Sequence, residues 1–465
     1  MYNVDSELQA AADAFARAGA AELDQRGDSL QRASRAVQQL LSHDEKFATG
    51  ASTIEVDQII YYKSLPGNDY DDIPTSARTN NPAEARYVEV KVKPKTVRTL
   101  FPPSMVRGLV DVTLEADSVA GMDQTVCGTA PVFICNPLEG QTETIYEAME
   151  TAEFRRTQVK FKTPNNVKDM YGRGNFGWLD PFGGNSGASV LRDAIAIDVP
   201  DNCYSQSQGV VMRTGNIASM SQGFNTRFDI YEGAFKRKAS DPRYAPAANV
   251  VKGWANGGTG KGKGKKKTNN AGGCPSGEHT DALALPRDNC FANGTCDDER
   301  WGTGQWDFAE YMRVNHPGFS RITIEGVTYR INSGRGTFTP SAPPSRYAMY
   351  RWEIDNDCVP GAETYGNKAL TPEEGLPQCH TSGASTTVAD RRVITVAVLN
   401  CGAVQALQNS RVLGKKDPVP VETFVKVFLT EPMGKGQDNI IWGEIIGPLV
   451  PGVDSEANDQ VAIAR

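Results

Sequence analysis

The stretch GGNSGAS sets Gly184 and Ser186 in the spacing of a nucleophile elbow, where a strained strand-to-helix turn exposes a serine hydroxyl for covalent catalysis. Ala188 stands where the pattern's last glycine belongs, and the preceding LDPFG does not read as a buried strand, so Ser186 is not taken as a nucleophile. Asp69, Asp71 and Asp72, and again Asp355 and Asp357, are carboxylate clusters of a kind that can hold calcium. Neither has the glycine and the closing glutamate of an EF-hand loop, and solvated turns account for them. In DNCYS, Cys203 falls where a D-x-S-x-S magnesium motif needs its first serine, and a thiol is a poor ligand for that hard cation. These patterns assign no catalytic residue, no cofactor and no metal site. Paired glycosidase-type acids stay open, because the fold and not the sequence sets their spacing.

The nine cysteines carry a different chemistry. Cys127 and Cys135 bracket CGTAPVFIC, Cys290 and Cys296 bracket CFANGTC, and Cys358 and Cys379 close a longer loop rich in proline and glycine, while Cys203, Cys274 and Cys401 lie apart. None forms a C-x-x-C pair, and the four histidines, His43, His279, His316 and His380, are scattered singly, so a zinc site has little support. Loops closed by two cysteines fit disulfides made in an oxidising compartment, which marks Cys127, Cys135, Cys290, Cys296, Cys358 and Cys379 as the candidates. The odd total leaves at least one cysteine unpaired or intermolecular, and the connectivity is not given by the sequence.

A chain of 465 residues has room for about two to four domains. The 49 basic and 56 acidic side chains leave a net charge of −7, which gives no global field to attract nucleic acid. No apolar run approaches the roughly 18 residues of a membrane span, and the opening residues lack the charged-then-apolar order of a secretory signal. Oxidised cysteines without a signal lead to the expectation that the true N-terminus lies upstream of Met1.

The elements that must position these residues begin with VDSELQAAADAFARAGAAELD. Leu8, Ala12, Phe15, Gly19 and Leu23 recur every three to four residues and form one narrow helical stripe. Ser6 and Gln9 have the spacing of a capping box, which places the helix start at Asp5 or Ser6. A second helix is expected from Asp28 or Ser29, with Leu30, Ala33, Val37 and Leu40 on one side. The period then falls to two: STIEVDQIIYY, YVEVKVK and LVDVTLEADS read as strands, with Val88, Val90 and Val92 facing one way and Glu89, Lys91 and Lys93 the other. The region 1–121 is therefore read as helices laid on a small antiparallel sheet.

Residues 122–256 read as a turn-rich α+β region. TETIYEAMETAEF and ASVLRDAIA are expected as helices, TQVKFKT as a strand, and GRGNFGWLDPFGGNSGAS as a glycine-rich loop. In GFNTRFDIYEGAF, Phe224, Phe228, Ile230 and Tyr231 read as core, with Arg227 and Asp229 satisfying each other or the local backbone. Five lysines among glycines in 257–273 cannot bury apolar area and read as a flexible linker or loop; no register fits a phosphate-binding P-loop. In 274–465, RITIEGVTYRI reads as a hairpin turning at Glu325 and Gly326, and YAMYRWEID as a strand. RRVITVAVLNC, ETFVKVFLTEP and NIIWGEIIGPLV are near-continuous apolar strands of a central sheet. This C-terminal region is β-rich and can share a sheet with 122–256.

The opening block resembles the segment that follows the membrane helix in the TadE/TadG-like family of Flp pilus-assembly proteins, where LQxAADAAALAGA is the hallmark. VKPKTVRTLFPPSM, LVDVTLEADSVAG, PVFICNP, GNFGWLDPFGG, GFNTRFDIYEGAF, RRVITVAVLNC and VFLTEP with IIWGEIIGPL are similar to later blocks of TadG-related members. The resemblance covers most of the chain apart from the lysine-rich stretch and GCPSGEHTDALALPRDN.

The resemblance implies an α+β fold with a pilin-like N-terminal module, followed by a larger, disulfide-braced, β-rich region. It implies a membrane helix directly before Tyr2, a bacterial periplasmic or cell-surface location anchored in the inner membrane, and a non-enzymatic part in the tight adherence machinery. Leu8, Ala12, Phe15 and Gly19 would then face neighbouring pilin-like helices, and the partners would be other pilin-like and Tad assembly proteins. The metal motif of the family's von Willebrand A domain is absent, so metal-dependent adhesion is not carried over. Two other readings remain: a secreted or periplasmic hydrolase whose groups converge only in the fold, and a calcium-stabilised adhesin using the Asp-rich loops.

Overall fold

The computed structural model describes residues 2–24, 26–39, 54–66, 71–82, 84–98, 111–141, 143–162, 174–182, 187–197, 200–206, 208–213, 219–228, 230–238, 241–247, 285–297, 299–316, 318–332, 337–356, 391–409, 417–433, 440–449 and 457–463. The fold is mixed α and β. It divides into two compact units, Met1–Thr125 with Asn458–Arg465, and Val126–Ala457.

In the first unit, α1 (Tyr2–Ala20) and α2 (Ser29–Gln39) pack on an antiparallel sheet of β1 (Val56–Tyr62) and β2 (Tyr87–Val92). The strands β3 (Lys95–Arg98) and β4 (Asp111–Leu114) form a separate pair, and β5 (Asp117–Cys127) returns beside β2. The sheet takes a further strand from the C-terminal segment Ala457–Ile463, next to β5. LVDVTLEADS is thus not one strand: β4 and β5 divide it and pair with different neighbours.

The core of this unit is the α1 stripe. Leu8, Ala12, Phe15 and Leu23 are all under 5% exposed and meet Ala33, Val37, Val88 and Val90. Gly19 lies where helix and sheet come closest: a Cβ there would sit 2.8 Å from Val37 Cγ2 and 3.3 Å from Val88 Cγ1. The helix begins at Tyr2, so Ser6 and Gln9 lie inside it and form no capping box. Gln9 Nε2 instead donates to Asp13 Oδ1 and to the Asp117 carbonyl, each at 3.0 Å. The strict alternation expected of YVEVKVK fails at Glu89. Its side chain is buried because the Tyr62 hydroxyl donates to Oε2 at 2.6 Å and Lys91 Nζ lies 3.2 Å from Oε1.

The second unit is built on a seven-stranded sheet. In chain order its elements are β6 (Val132–Cys135), α3 (Ile145–Glu150), α4 (Ala152–Arg156), β7 (Gln158–Lys162), β8 (Phe176–Leu179), α5 (Ala188–Ala196), β9 (Cys203–Ser205), β10 (Met212–Arg213) and α6 (Met220–Asn225). Then come α7 (Asn289–Asn293), α8 (Phe308–Asn315), β11 (Arg321–Ile324), β12 (Val327–Asn332), β13 (Thr337–Thr339), α9 (Arg346–Asp355), β14 (Val393–Leu399), α10 (Cys401–Asn409), β15 (Thr423–Leu429) and β16 (Ile440–Pro448). The sheet order is β10-β8-β6-β14-β15-β16-β7, and β6 with β14 is its one parallel pair among the described strands.

Both faces of this sheet are covered, which is why its central strands read as continuous apolar runs. Ile394, Val396 and Val398 of β14 and Val425 and Val427 of β15 join Ile145, Leu191, Ile195 and Phe224 from the helices of one side. Ala397, Leu399 and Phe424 belong to the opposite layer with Phe133, Val404 and Val421. Phe428 packs with Trp306, Phe308, Tyr311 and Met349, beneath the smaller sheet β11-β12-β13.

Three local expectations change. TETIYEAMETAEF is two short helices, because Thr151 adopts an extended backbone (φ −83°, ψ 134°) and caps α4 through the Phe154 N–H. Part of the glycine-rich stretch is strand: Phe176–Leu179 is buried throughout, and Gly177 is needed where a Cβ would fall 2.5 Å from the Phe133 ring. YAMYRWEID is helical. Ser345 Oγ accepts the Ala348 N–H at 3.0 Å as its N-cap, and this start outweighs the strand preference of the aromatic residues. The hairpin at Glu325 and Gly326 forms as expected, both residues having positive φ (47° and 78°). The 257–273 stretch lies outside the described residues.

Candidate functional site

The second unit carries a cleft of about 560 Å³, lined by α4, the β11–β12 turn, residues 340–345, the first turn of α9 and Ile446 of β16. Arg155 and Arg156 reach it from the last turn of α4, Tyr329 from β12 and Tyr347 from α9, while Pro343 and Pro344 form a rigid wall without N–H donors. Neither guanidinium has an ion-pair partner among the described residues, and Nε of Arg156 is buried without a hydrogen bond. The stem of Arg156 is held against Gly304: a Cβ there would lie 2.7 Å from Arg156 Cγ and 3.1 Å from Nε, at a φ of +67°. Burial raises the pKa of the Tyr329 hydroxyl, Glu325 adds to the rise, and Arg156 opposes it.

Beneath the cleft a closed set of charges fixes its walls. Arg346 is fully buried, with Nη2 2.6 Å from Asp288 Oδ1 and Nη1 2.7 Å from Glu444 Oε1. Its Nε donates to the Pro286 carbonyl at 2.7 Å and Nη1 to the Arg156 carbonyl at 3.4 Å. The backbone N–H groups of Arg346 and Tyr347 donate to the Glu444 carboxylate at 3.0 and 3.1 Å. Asp288 Oδ2 accepts the Gly304 N–H at 2.8 Å. Burial pushes Glu444 up to about 7, against the pull of Arg346 and of the two backbone donors. The end of α4, the start of α9 and the middle of β16 are thereby tied to one guanidinium.

This arrangement supplies hydrogen-bond donors rather than a nucleophile with its base. Among the described lining residues Glu325 is the one carboxylate, and the Ser345 hydroxyl is engaged as a helix cap. Elsewhere, His316 is buried with Nε2 2.7 Å from Glu353 Oε1, a carboxylate that also accepts the Tyr311 hydroxyl at 2.6 Å. That cluster sits in the aromatic core and reads as structural.

The residues singled out by the sequence are placed as follows. Leu8, Ala12, Phe15 and Gly19 share one face, but that face is sealed against α2 and β2 of the same unit, so it is not free to meet a neighbouring helix. Among the described residues three disulfides form: Cys127–Cys203, Cys135–Cys401 and Cys290–Cys296. The loop CFANGTC closes on itself as expected. Cys127 and Cys135 do not pair with each other, because β6 carries Cys135 to the start of α10 while Cys127 meets β9. Cys203 and Cys401, read as lying apart, are their partners. Arg227 donates to the carbonyls of Arg391 and Ile195 at 2.6 and 2.9 Å. Asp355 pairs with Arg351 on α9. Gly184, Ser186, Asp69, Asp229, Asp357, Cys274, Cys358, Cys379, His43, His279 and His380 lie outside the described residues.

Sequence reasoning missed the cleft, whose lining comes from four separate stretches. Its local signals are the adjacent Arg155 and Arg156 closing a short helix, and the order Pro-Pro-Ser that opens α9. Compared with known proteins, the chain matches no family model, no curated protein and no solved structure.

Proposed function

We propose that the chain is a non-enzymatic component of the Flp or tight adherence pilus assembly machinery, a minor pilin-like or periplasmic assembly factor. Its place would be the bacterial periplasm or cell surface, anchored in the inner membrane by the helix that the resemblance sets before Tyr2. Two features support an envelope location and a scaffold role: three disulfides, which form in oxidising compartments, and a cleft whose described lining offers donors for holding a ligand rather than paired acids for cutting one.

The observation that carries the reading is the way α1 is mounted. Its apolar stripe is locked on its own sheet, and its outward residues, Asp5, Gln9, Ala10 and Arg17, are polar or small and exposed. A helix held in this way is a rigid edge, and its partners among pilin-like and Tad assembly proteins would meet the outward face instead of the stripe. The test is genetic, in a bacterium that encodes the chain beside a tight adherence system. Deleting the gene should abolish Flp piliation, and the Ala10→Trp variant should accumulate with its disulfides intact yet fail to restore pili. Normal piliation in the deletion strain would remove the proposal.

A further inference from the structure

We propose that the cleft of the second unit is a binding site for an organic anion, in which Arg155 and Arg156 hold a carboxylate or phosphate group and Tyr329, Tyr347 and Pro343 receive a flat apolar body. This inference does not depend on the pilus-assembly reading.

The argument starts from charge. The chain is acidic, at −7, and two nearby arginines are already paired: Arg287 meets Glu431 at 2.7 Å, and Arg346 is held between Asp288 and Glu444. Arg155 and Arg156 have no such partner among the described residues, yet both are only partly exposed and line the same concavity. Arg156 Nε is a buried donor without a hydrogen bond, which is costly, and an oxyanion accepting from the guanidinium edge would offset that cost. Guanidinium presents its N–H groups in a planar fork that matches carboxylate and phosphate oxygens, which is why the ligand's polar end is assigned to an oxyanion.

The backbone does not compete for that role. The N–H groups at the start of α9 already donate to Glu444 and to Ser345, and the proline wall has none to offer. Anion recognition therefore falls to the two side chains; the remaining described lining is tyrosine, proline and aliphatic apart from Ser345, engaged as a helix cap, and Glu325, whose single negative charge the two guanidinium groups outweigh. A volume of about 560 Å³ lies within the roughly 300–1,000 Å³ typical of small-molecule sites. The buried Arg346 network holds the walls together before any ligand arrives, so little ordering cost is left to binding.

The experiment is calorimetric titration of the full chain, at about 0.15 M salt, with phenyl phosphate, benzoate and inorganic phosphate as probes. Saturable binding of phenyl phosphate or benzoate is expected, with the tighter of the two identifying a phosphate ester or a carboxylate as the natural group. Inorganic phosphate, which has no apolar body, should bind about tenfold or more weakly than phenyl phosphate, and Arg156→Gln should weaken the aromatic anion by about tenfold. The stem of Arg156 packs on Gly304, so Arg155→Gln serves as a second variant that leaves that packing intact. Absence of saturation with both aromatic anions overturns the proposal. So does an affinity unchanged in Arg155→Gln and Arg156→Gln, and so does inorganic phosphate binding as tightly as phenyl phosphate.

Discussion

Arg346 Nη1 lies 2.7 Å from Glu444 Oε1 with both side chains closed to solvent, and Asp288 takes the opposite edge of the same guanidinium at 2.6 Å. One cation thus faces two carboxylates in a dry interior. Asp288 alone can balance the charge, so Glu444 can hold a proton without leaving Arg346 unpaired.

Stability should therefore depend on pH through Glu444. Its pKa rises from an ordinary 4.5 to about 7 on folding, so between those values the folded chain holds a proton that the unfolded chain has released. This contribution is fully present below about 4.5 and is lost as the pH climbs through about 7, an effect of order 3 kcal/mol. Glu444→Gln should flatten that slope. All six tryptophans lie within Val126–Ala457, so urea denaturation followed by tryptophan fluorescence at pH 5 and pH 8 reads this unit. Equal pH slopes in the two proteins would contradict the assignment.

Phe15 should behave as a core residue of the first unit. It is 4% exposed and meets the α2 and β2 side chains, so Phe15→Ala should cost about 3–5 kcal/mol and Phe15→Glu should unfold the unit outright. Ala10, on the outward side of α1, should tolerate a polar substitution within about 0.5 kcal/mol. Hydrogen exchange of the α1 amides gives the readout: accelerated in both Phe15 variants, unchanged in Ala10→Gln.

The contrast between α1 and α9 shows where the sequence was legible. The α1 stripe and the three apolar strands β14, β15 and β16 repeat over enough residues for their period to outweigh local noise. In YAMYRWEID the aromatic residues favour a strand, and the decision belongs to Ser345 and to Glu444, 98 residues beyond Arg346. The cysteines teach the same lesson: CFANGTC closes on itself because its loop is short, whereas Cys135 finds Cys401 266 residues away because β6 and β14 are neighbours. The direction of the α1 face was hidden for a related reason. An amphipathic period says that one side is buried, and only the sheet that follows says against what.

The two kinds of disulfide should differ in what they contribute. In chain-entropy terms, Cys135–Cys401 closes a long stretch and is worth about 5 kcal/mol, while Cys290–Cys296 closes a short one and is worth about 2 kcal/mol. Urea midpoints of the double variants Cys135→Ala/Cys401→Ala and Cys290→Ala/Cys296→Ala, read by tryptophan fluorescence, should rank in that order. The reverse order would mean that residual structure in the unfolded chain already joins β6 to α10.

Glu139 should link that long disulfide to the helix it enters. Its carboxylate accepts the N–H of Cys401 at 3.0 Å and that of Gly402 at 2.6 Å, two of the donors that the first turn of α10 leaves unpaired. A negative charge at this end also complements the helix dipole. Glu139→Ala should cost about 0.5–2 kcal/mol, and Glu139→Gln, which keeps an acceptor but no charge, should cost less. Gly402→Ala probes the same contact from the other side, since a Cβ at that position would collide with Glu139 Oε1 and displace the carboxylate. The double variant Glu139→Ala/Gly402→Ala should then be less destabilised than the sum of the two single changes. Strict additivity in urea denaturation would show that Glu139 does not cap this helix in solution.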